Sequence, residues 1–163
     1  MIPFDEIPRV VAIGIGATVL MDSWVLMLKF LDVPMLNFAM VGRWVGNMPK
    51  GQWVHDPIAK AAPVPGELAL GWTVHYATGV AFAGLLAMVA GHQWMHAPSM
   101  APAVLVGMAT VVFPFFVMQP ALGSGVMSSR TKTPVKNVIK SFANHSVFGL
   151  GMYVAASAIS IWA

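Results

Sequence analysis

VVAIGIGATVLMDSWVLMLKFL, residues 10–31, decides the fold class. It is 22 residues long and carries only two charged side chains, Asp22 and Lys29. At ~1.5 Å rise per residue, a helix of this length covers ~33 Å, enough to cross the ~30 Å hydrocarbon core of a bilayer. Three more runs of the same kind follow, at residues 68–90, 101–121 and 142–163. None alternates apolar with polar residues, as the shorter strands of a membrane β-barrel would. Helices are the expected form, because a backbone in lipid must satisfy its own polar groups. The reading is all-α: a single integral membrane domain over residues 1–163, a polytopic bundle of about four transmembrane helices.

Composition agrees. The chain is 58% hydrophobic and 9% charged, against roughly 25% charged residues in an average soluble domain. A soluble core of this size cannot absorb so much apolar surface. With no cysteine, disulfides, thiolate metal sites and cysteine nucleophiles are excluded. The first run is not expected to be a cleaved signal: it is too long, and Asp5 and Glu6 stand where a signal would be basic.

Charge sets the orientation. If all four runs span, both ends and the turn at 91–100 share one side, which holds only Arg9. The other side receives Lys29, Arg43, Lys50, Lys60, Arg130, Lys132, Lys136 and Lys140. Basic loops stay in the cytoplasm, so both termini are expected outside. Trp72, Trp94 and Trp162 fall near span ends, where indole rings favour the interface.

The first inner loop, residues 32–67, is too apolar around Met35, Phe38, Met40, Val41 and Trp44 to be a disordered linker. It predicts a short helix on or re-entering the inner leaflet, with Arg43 reaching for headgroups. Pro63, Pro65 and Gly66 then break the chain, and Glu67 sits at the positive end of the second span. In the second inner loop, Thr133-Pro134 reads as a helix start, so the last helix is expected to begin early with Lys136 and Lys140.

Ionisable side chains within a span cost roughly 2.5–3.5 kcal/mol on insertion scales and turn toward protein. Asp22 lies ~13 Å from the inner end of its run, on a face with Gly14, Thr18, Val25 and Lys29. Antiparallel counting puts His75, Gln119, Asn144 and His145 in the same cytoplasmic half, while the outer half is nearly free of such groups. These five residues form the candidate intramembrane polar site. Packing between helices explains buried polar residues too, at about 0.6 kcal/mol per contact.

Pro114 removes the donor for the Thr110 carbonyl and should kink the third helix. Small pairs at four-residue spacing, Ala12 with Gly16, Gly79 with Ala83, and Gly151 with Ala155, read as bundle packing before a dimer face. His92 and His96 share a helical face but lack a third ligand, so no metal site is expected. No cofactor motif is present. Gly123-Ser124-Gly125 with Ser128, Ser129, Arg130 and Lys132 is the candidate anion or headgroup contact, set against a plain topology signal touching lipid nonspecifically.

Several segments resemble an uncharacterised bacterial inner-membrane family. They are Ile13-Gly14-Ile15-Gly16-Ala17-Thr18 with Met21-Asp22, Val33-Pro34, and Leu36-Asn37-Phe38-Ala39-Met40-Val41-Gly42-Arg43-Trp44. The others are Pro63-Val64-Pro65-Gly66-Glu67, His75-Tyr76, Gln119-Pro120-Ala121-Leu122-Gly123, Ser129-Arg130-Thr131 and His145 with Phe148-Gly149-Leu150-Gly151. The resemblance spans nearly the whole chain. It implies the location and a bundle of about four helices, and supplies no catalytic residue, substrate or cofactor.

Three functions stay open. The first is a small proton- or solute-handling carrier, working as a homo-oligomer because four helices make a narrow pathway. The second is a structural or accessory subunit of a larger membrane complex. The third is a membrane-embedded enzyme on a lipid or quinone, with Asp22, His75 or His145 as acid or base and Arg130 on a phosphate. Anionic lipid is the expected partner of the basic loops, and nucleic acid is not.

Overall fold

The computed structural model describes residues 2–34 and 36–162. Among these residues the fold is all-α. A short 3-10 turn, Phe4–Glu6, leads into α1, Ile7–Lys29. The short helix expected in the first inner loop is α2, Phe38–Asn47. The Asn37 side chain caps it by accepting from the Ala39 amide at 3.0 Å, which satisfies one orphan donor of the first turn. A 3-10 turn, Met48–Lys50, follows it and ends at Gly51, where φ of +77° suits glycine.

Helix α3, Glu67–Ala90, follows the proline-rich break. The Glu67 carboxylate accepts from the Val64 amide at 3.0 Å and so closes the start of the helix. The third apolar run opens as α4, Met100–Ala109, and ends as α5, Gln119–Ala121. Between them Pro114–Met118 is π-helical. The sequence predicts a kink at Pro114, and the structure answers the missing donor with a wider turn. Helix α6, Pro134–Trp162, is 29 residues long and begins at Pro134, as Thr133-Pro134 suggested.

Among the described residues, three stretches are long and apolar enough to cross a membrane: Phe4–Lys29, Glu67–Ala90 and Met100–Ala121. Helix α6 has the length for a fourth crossing, but Asn144, His145, Ser146, Ser157 and Ser160 dilute its apolar character. Large apolar side chains on these helices point outward. Leu105 is 66% exposed and Val112 is 56% exposed, a pattern that suits a lipid solvent.

The chain divides into two compact units. The first comprises Met1–Met35, Tyr76–Thr110 and Phe142–Ala163. Its core joins Val10, Ile13 and Ala17 of α1 to Leu86 of α3, Ala103 of α4 and Met152 of α6. The second comprises Leu36–His75 and Val111–Ser141. Its core is smaller, built on Trp44, Ile58, Ala121 and Leu122.

Glycine brings the helices together within each unit. In the first, a Cβ on Gly14 would lie 2.5 Å from the Val80 Cα, and one on Gly79 would collide with the Thr18 hydroxyl. A Cβ on Gly107 would lie 2.5 Å from the Gly149 Cα. A Cβ on Gly151 would lie 3.0 Å from the Ala17 Cα, and one on Gly16 2.9 Å from the Ala155 Cβ. Of the small residues expected to pack the bundle, Gly16, Gly79, Ala83, Gly151 and Ala155 do so, while Ala12 is exposed. Gly14, Gly107 and Gly149, which are not among the pairs singled out from the sequence, share that work.

Candidate functional site

The polar side chains of the spans are joined in pairs. In the first unit the Tyr76 hydroxyl of α3 donates to the Asp22 carboxylate of α1 at 3.1 Å. The Trp24 indole N–H of α1 donates to the Asn144 carbonyl oxygen of α6 at 3.2 Å. Thr110, which follows α4, lies 2.8 Å from Nδ1 of His145 on α6. These contacts tie α1 to α3, α1 to α6 and α4 to α6. Neither Tyr76 nor Trp24 is singled out for the polar site by the sequence, because aromatic residues are ordinary in apolar spans.

The third pair fixes a proton. The Thr110 hydroxyl donates to the Gly107 carbonyl at 2.6 Å. A hydroxyl has one hydrogen to give. Its oxygen therefore accepts from His145, which places a ring proton on Nδ1. Nitrogen NMR of a histidine-labelled sample should show an Nδ1-protonated ring that is lost in His145→Gln. An unprotonated Nδ1 at His145 would reverse the assignment.

In the second unit His75 lies in an aromatic group, its ring 4.5 Å from that of Phe38 and 5.7 Å from that of Trp72. Gln119 accepts from the Ser128 hydroxyl at 3.1 Å. One residue of the expected polar site and one of the expected anion site thus bond to each other. The five candidate polar residues fall in two units: Asp22, Asn144 and His145 in the first, His75 and Gln119 in the second.

Arg43 is turned into the chain rather than out to headgroups. Only 8% of it is exposed. Its Nε and Nη2 donate to the two Glu67 oxygens at 2.8 and 2.7 Å. Nη1 donates to the carbonyls of Ala61 at 3.1 Å and Ala59 at 3.4 Å. The hydrogen bond to Glu67 raises the guanidinium above its ordinary value, so the pair stays ionised across the physiological range. Beside it α2 and α3 meet backbone to backbone. A Cβ on Gly42 would collide with the Glu67 carbonyl, and one on Gly71 with that of Phe38. Phe38 then stacks on Trp72 with ring centres 4.2 Å apart.

The expected anion loop is largely engaged internally. Backbone amides of Ser124, Ser128, Ser129, Arg130 and Thr131 donate to carbonyls between Gln119 and Ser128. Ser128 is buried, and the exposed Arg130 side chain lies 3.5 Å from Asp56. Ser129 and Lys132 remain exposed. His55, close by in the first loop, has a buried Nε2 without a hydrogen-bond partner. At the other end of the chain, His96 is 2.6 Å from Glu6, which also lies 3.5 Å from Arg9.

No curated protein and no solved structure matches the chain. Residues 11–159 match the model of one family, a stretch that runs from the first turns of α1 through most of α6. The chain belongs to that family, described as a protein of unknown function (DUF2938).

Proposed function

We propose that this is a multi-pass protein of a bacterial inner membrane that handles protons or a small solute through Asp22 and Tyr76. The supporting observation is the aspartate held within a span by a hydroxyl from another helix, 3.1 Å away. A carboxyl group can gain or lose a proton while one of its oxygens keeps the Tyr76 bond. The neighbouring pairs, Trp24–Asn144 and Thr110–His145, are suited to holding the helices around Asp22. Intramembrane ionisable groups mark pathways by default. Eight lysines and arginines on one side against Arg9 alone on the other support cytoplasmic basic loops with both termini outside. A chain of this size would work as a homo-oligomer.

The test is flux. Purified protein in vesicles with an imposed proton gradient should pass protons, read by a trapped pH-sensitive dye. Asp22→Asn should slow this at least about tenfold, the scale of losing a proton-transfer group. An unchanged rate removes the reading. A second reading, an accessory subunit of a membrane complex, is favoured by the same pairwise matching of polar groups. It expects a partner of fixed stoichiometry that stays bound in Asp22→Asn.

A further inference from the structure

The two basic loops of the second unit are stitched into one body. The His55 amide donates to the Ala121 carbonyl at 2.9 Å, and the Ile58 amide to that of Leu122 at 3.1 Å. Gly123 fits so closely that a Cβ there would lie 2.7 Å from the His55 carbonyl and 2.9 Å from the Pro57 Cα. The Trp44 indole donates to the Trp53 carbonyl at 2.8 Å and holds the backbone there.

This body exposes what a soluble loop would hide. Trp53 is 60% exposed and Val54 72% exposed. Val126 and Met127 of the second loop are exposed too. Neither pair lies in an α-helix, so these are not simply the outward faces of a span. The same loops carry Lys50, Lys60, Arg130 and Lys132, all exposed. The one carboxylate within residues 50–60 and 123–132 is Asp56, already beside Arg130. Exposed apolar side chains in loops that carry four cations and one carboxylate match a layer that is anionic outside and apolar beneath.

We infer that residues 50–60 and 123–132 form one platform that seats on anionic phospholipid headgroups, with Trp53 and Val54 dipping below them. This rests on the reading that the chain spans a membrane with its basic loops on the cytoplasmic side. It differs from a topology signal in requiring insertion at a fixed place and a preference among lipids. Arg43, engaged with Glu67, takes no part.

The chain has no cysteine, so a single one can be labelled without background. Val54→Cys carrying an environment-sensitive dye would be placed in vesicles of phosphatidylcholine alone or mixed with phosphatidylglycerol. Quenching would come from brominated forms of either lipid. Leu105→Cys on α4 serves as the reference for residence in the bilayer. Both labels should be quenched by brominated lipid. The Val54 label should prefer brominated phosphatidylglycerol by about threefold, a preference that falls toward unity in Lys60→Gln/Lys132→Gln and in high salt. If Leu105 is quenched while Val54 responds only to aqueous iodide, the platform is wrong and the membrane reading stands. If Leu105 is not quenched either, both fall. A Val54 label quenched equally by the two lipids removes the anionic preference.

Discussion

Gly71→Ala should unfold the second unit's helix crossing and cost about 3 kcal/mol or more. The new Cβ would collide with the Phe38 carbonyl and lie 3.1 Å from the Gly42 amide nitrogen. Both are backbone atoms, so no side chain can swing aside. Helix α2 would have to lift, drawing Arg43 from Glu67 and Phe38 from Trp72. Gly42→Ala should act alike, since its Cβ would meet the Glu67 carbonyl. Gly84→Ala is the control. Its Cβ would lie 3.7 Å from the nearest atom, a Val10 methyl, and alanine is the better helix former by roughly 1 kcal/mol. Unfolding of purified protein in mixed micelles measures all three. Equal stability of Gly71→Ala and Gly84→Ala would show that α2 and α3 do not meet this way.

The second large effect belongs to Arg43 and Glu67. Removing one partner leaves the other's charge among groups placed to neutralise it. Arg43→Met would leave the Glu67 carboxylate and the carbonyls of Ala59 and Ala61 without their guanidinium. Glu67→Met would leave a cation enclosed and also remove the acceptor for the Val64 amide. Each single variant should melt well below the parent. The double variant should recover part of the loss, because matched apolar side chains strand no charge. A double-mutant cycle read from melting midpoints gives the coupling directly. Strictly additive losses would mean that the two side chains do not act as a pair.

Much of the architecture was legible in the sequence. The apolar runs gave α1, α3 and the stretch from α4 to α5, because length and hydropathy suffice when lipid is the solvent. The apolar loop gave α2, and Thr133-Pro134 gave the start of α6. The arrangement around the helix axes was not legible. Residue counting fixes how deep a side chain sits but not which way it faces, since rotation follows from packing against neighbours. Hence Asp22, Asn144 and His145 could be picked out while Tyr76, Trp24 and Thr110, their partners, could not. Arg43 illustrates the same gap. From its loop it reads as a surface cation, and nothing local reveals that Glu67, 24 residues on, faces it. The π-helical turn at Pro114 escaped for a related reason: proline predicts a lost bond, not how the backbone compensates.

The glycine contacts bear on how this protein withstands extraction. Cohesion that depends on expelling water would weaken wherever hydrocarbon already surrounds a helix. Main chain lying against main chain owes its strength to dispersion and weak Cα–H···O contacts instead. Those forces are indifferent to whether the surrounding tails belong to a phospholipid or a surfactant, so the seams at Gly14–Val80 and Gly107–Gly149 are expected to persist when one replaces the other.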